Sequence, residues 1–171
     1  MLNTELMFAT GEDARATPQA FFDRIHRDFA FTLDAAATKG NRKVERYLGP
    51  DHANPAWRDA LQVEWAEVTT GPVWLNPPYS RCREFIAKAA EEARKGLTVV
   101  SLVPSRTDTR WWHEHVWDAS TNRPRAGVEV RFIKGRLRFG TAKASAPFPS
   151  AVVVFRPLEI ANGFQKNGVC R

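Results

Sequence analysis

The spacing of apolar positions predicts two amphipathic helices. An apolar residue recurs every three or four positions over residues 18–29 and again over residues 81–95, as one face of a helix requires. Thr17 is then expected as the N-cap of the first helix and Pro18 as its first residue, positions that both residue types favour. Gly96 follows the second helix, where glycine is typical of a C-terminal cap.

Short, mainly apolar runs predict the strands. Four of them are typical of strands buried on both faces: residues 31–34, 73–75, 97–103 and 151–155. Residues 128–133 alternate apolar and polar, which predicts a strand with one buried face, and residues 135–140 resemble a second short strand. The order strand, helix, strand over residues 73–103 predicts a right-handed βαβ unit. The chain therefore indicates an α/β fold.

Length and composition are those of one globular domain. The chain has 171 residues, of which 43% are hydrophobic, enough for a single core. We expect a flexible arm over residues 1–16, the domain over residues 17–157 and a tail over residues 158–171. No apolar run approaches the roughly 20 residues that cross a bilayer, and the first residues do not resemble a secretory signal. We therefore expect no membrane partner.

The net charge of the chain indicates what kind of partner it binds. The net charge of +6 at pH 7 and the isoelectric point of about 9.7 fit a polyanion such as nucleic acid. Cys82 and Cys170 lie far apart without metal-ligand spacing, which favours a reducing compartment over a disulfide. His113 and His115 fall in a helical segment, where positions i and i+2 diverge. Without a third ligand, we expect no metal site.

The segment Asn76-Pro77-Pro78-Tyr79 directly follows an apolar run. Its prolines end the strand and stiffen the backbone, which places Asn76 and Tyr79 at the carboxyl edge of the sheet, where ligands bind in α/β folds. The Asn76 side-chain oxygen and the Pro77 carbonyl oxygen can each accept one hydrogen of a nucleobase amino group, and this frees the nitrogen lone pair for attack. Tyr79 offers a ring on which a base can stack.

This segment resembles the catalytic motif of the amino-group DNA methyltransferases, and the wider sequence resembles the phage-type DNA N6-adenine methyltransferase (Dam-type) family. The matching segments follow the expected order through most of the chain: 17–18, 31–36, 59–61, 76–79, 104–111, 135–139 and 146–150. The resemblance implies a single three-layer Rossmann-like methyltransferase domain, with a mostly parallel sheet and an antiparallel C-terminal strand. It also implies a phage- or prophage-encoded protein of the bacterial cytoplasm.

The activity that the resemblance implies is methyl transfer from S-adenosylmethionine to adenine N6 in double-stranded DNA, after the base is flipped out of the helix. Its catalytic residues would be Asn76, Pro77, Pro78 and Tyr79. Two alternatives stay open. One is transfer to cytosine N4 or another amino group by the same motif, and the other is a catalytically inactive DNA-binding relative. The sequence does not indicate an oligomeric state.

The resemblance also implies a set of cofactor-binding residues: Thr17, Pro18, Asp34, Ala35, Ala36, Asp59, Leu61 and Asn76. Asp34 would pair with the ammonium group of the cofactor, although the Gly-x-Gly that is expected after it is absent. Its alternative role is a helix N-cap. Asp59 would accept a hydrogen bond from the cofactor adenine, with Leu61 packed on the ring. The alternative is a surface aspartate in a turn.

Basic residues outside these motifs are candidates for contacts with DNA phosphates. They are Arg106, Arg110, Arg123, Arg125, Arg136, Arg138 and Lys143. Residues 118–127 and 134–149 are the candidate recognition loops, because no separate recognition domain fits in a chain of this length. A solvated connection is the alternative interpretation of residues 118–127.

Overall fold

The computed structural model describes residues 16–139 and 146–158. Its centre is a five-stranded sheet in the order β1-β2-β3-β7-β6. The strands are β1 (Leu33–Asp34), β2 (Val73–Leu75), β3 (Val99–Pro104), β6 (Val128–Phe132) and β7 (Ser150–Phe155). Strands β1, β2 and β3 are parallel, and β7 is antiparallel to both of its neighbours, β3 and β6. The prediction of a mostly parallel sheet with an antiparallel C-terminal strand is confirmed.

Four α-helices occur in the described residues: α1 (Gln19–Phe29), α2 (Trp65–Val68), α3 (Cys82–Arg94) and α4 (Arg110–His115). Helix α3 connects the parallel strands β2 and β3, which confirms the βαβ unit. It ends where expected, because Gly96 adopts a φ of 106°, a conformation that costs glycine little. None of the described helices is long and apolar enough to cross a membrane.

The sheet separates two apolar clusters, because successive strand residues point to opposite faces. One cluster joins α1 to Trp74, Val100, Leu102, Val152 and Val154. The other joins α3 and α4 to Val73, Leu75, Val99, Val153 and Phe155. Helices therefore cover both faces of the sheet.

A charged network ties α3 to the segment that precedes α2. Glu92 is fully buried, its Oε1 lies 2.9 Å from Lys88 Nζ, and its Oε2 accepts a hydrogen bond from the Ala66 main-chain N–H. Glu64, Glu91 and Glu92 lie close enough together to hold a cation. Lys88 and Lys95 already pair with all three of these carboxylates, so the group is a structural ion-pair network.

Several local predictions are wrong. Helix α1 begins at Gln19, Pro18 occupies the N-cap position, and no side chain caps the helix. Residues 118–127 contain a short hairpin, β4 (Trp117–Asp118) with β5 (Arg123–Pro124), in place of a continuous loop. The described part of residues 135–140 forms no strand. Phe132, expected on the buried face of β6, is 65% exposed.

The predicted ends of the domain lie mostly outside the described residues. Of the arm over residues 1–16, the structure describes Ala16 alone, and of the tail over residues 158–171 it describes Leu158 alone. Cys170 also lies outside the described part, whereas Cys82 is a buried free thiol at the start of α3.

Candidate active site

Asn76 is the first residue after β2, at the carboxyl edge of the parallel part of the sheet. Pro77 and Pro78 are buried, while Asn76 and Tyr79 are half-buried. The backbone turns at once into a single 3₁₀ turn, Tyr79–Arg81, which leads into α3. The prolines end the strand as predicted, and the segment lies at the sheet edge where the sequence places it.

Thr17 contacts the Asn76 side chain directly. The Asn76 amide Nδ2 donates a 3.1 Å hydrogen bond to Thr17 Oγ1, and Thr17 is 97% shielded from solvent. The prediction that Thr17 caps α1 is therefore wrong, because its hydroxyl is directed at Asn76 across the sheet edge. The bond restrains the Asn76 side chain, whose Nδ2 faces Thr17.

The ring of Tyr79 packs between two other aromatic side chains. The Phe148 ring lies edge-on to it at a centroid distance of 5.0 Å, and the Phe139 ring lies edge-on at 6.3 Å. Both phenylalanines belong to segments that flank residues 140–145. Edge-to-face packing of this kind holds a ring in one orientation. Both phenylalanines lie in the segments 135–139 and 146–150 that carry the resemblance, but their contact with Tyr79 was not predicted from the sequence.

Asp34 ends β1, the strand next to β2, and is buried. Its Oδ2 accepts a 2.9 Å bond from the Lys43 main-chain N–H, and its Oδ1 accepts a longer one from Ala36 N–H. Burial raises the pKa of this carboxyl to about 6. The two main-chain hydrogen bonds and the Lys43 charge lower the pKa but do not outweigh the effect of burial. The helix N-cap alternative is wrong, because the next helical turn begins only at Pro55.

Lys43 was missed by sequence reasoning as a member of this site. Its side-chain Nζ donates a 3.0 Å hydrogen bond to Gln19 Oε1 at the start of α1, while its main chain binds Asp34. Burial lowers the pKa of Lys43, and the Asp34 charge opposes that shift. The residue thus connects the beginning of α1 to the end of β1. Because Lys43 binds Asp34 through its main-chain N–H, its residue type gave no signal of this contact.

The other predicted cofactor residues lie at varying depth. Ala35 is buried, and its N–H donates to the Trp74 carbonyl oxygen, so it lies beside the end of β2. Ala36 and Pro18 are half-buried. Asp59 is exposed, and its Oδ1 accepts a bond from the Leu61 N–H, the geometry of the surface-turn alternative. Leu61 packs against the apolar cluster of α3. Cofactor contact by these residues stays a prediction.

The predicted DNA-binding residues fall into separate groups. Arg106 and Arg110 follow the carboxyl end of β3, and Arg136 and Arg138 follow that of β6, so these four exposed side chains share the sheet edge with Asn76. The exposed Arg123 lies in β5.

Arg125 differs from the other candidates for DNA contact. Its guanidinium donates two hydrogen bonds to the His113 carbonyl oxygen, so it has a structural role. Lys143 lies outside the described residues.

A mixed α/β sheet with an Asn-Pro-Pro-Tyr segment at its carboxyl edge is the arrangement of the amino-group methyltransferase class. Comparison with known families agrees with this class. The DNA N-6-adenine-methyltransferase (Dam) family matches residues 7–163. The chain belongs to this family, and the resemblance seen in the sequence is confirmed.

Two curated relatives carry the name DNA N-6-adenine-methyltransferase. The protein of Haemophilus phage HP1 (strain HP1c1) is 26% identical over 149 residues, 85% of this chain and 80% of the relative. The protein of Escherichia phage T1 is 32% identical over 84 residues, 49% of this chain. The matched region spans only 32% of the length of the T1 relative.

Proposed function

We propose that this chain transfers the methyl group of S-adenosylmethionine to N6 of adenine in double-stranded DNA. The observation that carries the proposal is Asn76 at the carboxyl edge of the sheet, with its amide held by Thr17. The family and the names of both relatives specify adenine N6, which favours this base over the cytosine-N4 alternative. We assign the activity to one Rossmann-like, three-layer domain over residues 17–157.

Asn76 and Pro77 would activate the adenine amino group. Because Nδ2 is directed toward Thr17, Oδ1 is the amide atom that accepts one N6 hydrogen, and the Pro77 carbonyl oxygen accepts the other. The nitrogen then becomes pyramidal and its lone pair is available, which is stabilisation by preorganised acceptors. The methyl–sulfur bond of the cofactor would break as the new N–C bond forms, with its electron pair left on sulfur, and one N6 proton would leave for solvent without a dedicated base.

Entry of the base requires movement at the motif. The Asn76 Oδ1 atom is buried in the structure, and the Tyr79 ring packs on Phe148. A flipped adenine would therefore displace groups around Oδ1 and stack on the face of Tyr79. Stacking of a base on an aromatic ring is worth roughly 1–3 kcal/mol, which offsets part of the few kcal/mol that base flipping costs.

The end of β1 fits the amino-acid part of the cofactor. Asp34 is a buried carboxylate whose pKa is raised by desolvation, and a bound ammonium group would stabilise its ionised form. Ala36 is half-buried next to this end of β1, and its small side chain would allow close approach of a ligand. When bound, S-adenosylmethionine supplies an electrophilic methyl group on a sulfonium centre.

The exposed arginines that share the sheet edge with Asn76 would contact DNA phosphates, which gives binding that weakens as salt is raised. We also propose that the protein acts in the cytoplasm of a bacterial host, since both relatives come from phages.

The proposal is tested with methyl-labelled cofactor and two duplexes, one in which only adenine can be methylated and one in which only cytosine can be. We expect label in the adenine duplex and N6-methyladenine after digestion to nucleosides. Asn76→Ala should abolish transfer and keep affinity for the demethylated cofactor product. Label in cytosine alone would contradict the adenine assignment. Absence of both cofactor binding and transfer would identify an inactive DNA-binding relative.

A further inference from the structure

An aromatic cavity lies between α4 and the edge strand β6. It has a volume of about 220 Å³, and its walls are Thr107, Trp112, His113, Trp117 and Phe132. The exposed surface that lines it is almost entirely apolar. Phe132 is one of only two large apolar side chains among the described residues that are exposed to solvent, at 65%. A solvent-exposed aromatic ring at the mouth of an apolar cavity is typical of a binding surface.

The register of the sheet places this cavity at the level of the active site. Phe132 of β6 and Val103 of β3 both pair with Ala151 of β7. Leu75, which precedes Asn76, pairs with Ser101 of β3, so Asn76 lies about one residue from that level. Three strand-to-strand steps separate β2 from β6, a distance of about 14 Å. The two sites therefore share one edge of the molecule.

His113 is the one ionisable residue in the described lining of the cavity. Its Nε2 lies 2.8 Å from the Thr107 carbonyl oxygen, and because a carbonyl only accepts, Nε2 carries the proton. In a neutral imidazole the other nitrogen, Nδ1, is then an acceptor. Nδ1 is buried and has no hydrogen-bond partner among the described residues. Because Nδ1 is shielded from solvent, His113 lines the cavity without offering this nitrogen to a ligand.

The surroundings of the cavity are basic. Arg106 and Arg110 lie on the segment that carries Thr107 and leads into α4, and Lys134, Arg136 and Arg138 follow Phe132. All five are exposed. Aromatic walls together with a basic rim are the combination that binds nucleic acid bases and their phosphates.

We propose that this cavity receives an unstacked nucleobase of the DNA, distinct from the adenine that is methylated. Phe132 and Trp117 stack on the base. Every base offers a flat face to an aromatic ring, so the site recognises an extrahelical base as a class. This inference rests on the proposed function in taking DNA as the partner, and it adds a second point at which the chain distorts the duplex.

The test compares the affinity for a perfect duplex with that for the same duplex carrying one unpaired thymine, which has no amino group to methylate. We expect the wild-type chain to prefer the bulged duplex by about tenfold, since stacking contributes roughly 1–3 kcal/mol per base. Phe132→Ala should remove the preference, and Phe132→Tyr should keep it. Leu158→Ala is the matched control, because Leu158 is the other exposed large apolar side chain, at 56%.

Each remaining outcome is decisive. Retention of the preference by Phe132→Ala, or its absence in the wild-type chain, overturns the inference. Loss of the preference for the bulged duplex in Tyr79→Ala also overturns the inference, because the unpaired base would then be bound at the methylation site. A change in oligomeric state on Phe132→Ala, with DNA affinity unaltered, would assign the surface to contact between copies. Methyl transfer by the wild-type chain is measured in parallel, so failure of the proposed function is seen separately.

Discussion

The side chain of Asn76 binds Thr17, a residue 59 positions earlier, through the Nδ2 to Oγ1 hydrogen bond of 3.1 Å. This bond connects the segment before α1 to the proposed catalytic segment after β2. An amide can present either its oxygen or its nitrogen to a substrate, and only the oxygen can accept a hydrogen from an amine. With Nδ2 bonded to Thr17, Oδ1 is the amide atom that the proposed chemistry uses, and the bond restrains the side chain.

Replacing Thr17 with valine should slow methyl transfer more than it weakens folding. Valine has a similar shape but no acceptor for Asn76 Nδ2, so the Asn76 side chain loses the hydrogen bond that restrains it. We expect kcat to fall about tenfold, which corresponds to the roughly 1–1.5 kcal/mol of one hydrogen bond. Thr17→Ser retains the hydroxyl and should keep most of the activity. Steady-state kinetics measure the activity of both variants, and thermal unfolding measures their stability. An equal loss of activity in Thr17→Val and Thr17→Ser would contradict this role.

Tyr79 should act through its ring and not through its hydroxyl. The ring lies edge-on to Phe148 and Phe139. Stacking of a base uses the face of the Tyr79 ring and does not involve the phenolic hydroxyl. Tyr79→Phe should keep kcat/KM within a few-fold of the wild-type value. Tyr79→Ala should lower it about tenfold or more, since one base–aromatic stack is worth roughly 1–3 kcal/mol. Equal losses in the two variants would instead assign a role to the hydroxyl.

Sequence reasoning succeeded where the determinants are contiguous. The order of β2, the Asn-Pro-Pro-Tyr segment, α3 and β3 follows from an apolar run, two prolines and a helical period within about thirty residues. The position of Asn76 at the sheet edge follows in turn, because a proline cannot extend a central strand.

The predictions are wrong where contacts between residues distant in the sequence determine the local structure. Thr17 before Pro18 has the pattern of an N-cap, yet its hydroxyl binds a side chain from another element. Phe132 continues the apolar alternation of β6, but β6 is an edge strand and the ring is left at its exposed end. Neither outcome is encoded within a few residues of the position concerned.

Asp34 should make the stability of the protein depend on pH. Its pKa is raised from 3.8 to about 6 in the folded chain, so the folded state holds a proton that the unfolded state has released. The free energy of unfolding should therefore fall as the pH rises through this range. The two-unit difference corresponds to at most roughly 3 kcal/mol.

Asp34→Asn should flatten this dependence, because the amide cannot ionise. Urea unfolding of both proteins across the range from 3.8 to about 6 would measure it. The variant should also bind S-adenosylmethionine more weakly, since it lacks the charge proposed to pair with the ammonium group. A variant that kept the full slope would show that the pH dependence arises from another group.

The buried pair of Lys88 and Glu92 should be the most sensitive electrostatic contact of the described chain. Glu92 is fully buried and lies 2.9 Å from Lys88 Nζ, so Lys88→Met leaves a buried carboxylate with a weaker partner, Lys95, at 3.4 Å. We expect a loss of about 3 kcal/mol in the free energy of unfolding.

The control for this prediction is Glu45→Gln, which removes the charge of an exposed carboxylate paired with Arg42 and should cost roughly 0.5 kcal/mol or less. Urea unfolding midpoints, with the slope against urea checked for constancy, give both values. The double variant Lys88→Met with Glu92→Leu should recover much of the lost stability, because it removes the isolated charge along with its partner. A double variant as unstable as Lys88→Met alone would show that Lys88 stabilises the fold through packing of its aliphatic chain and not through its charge.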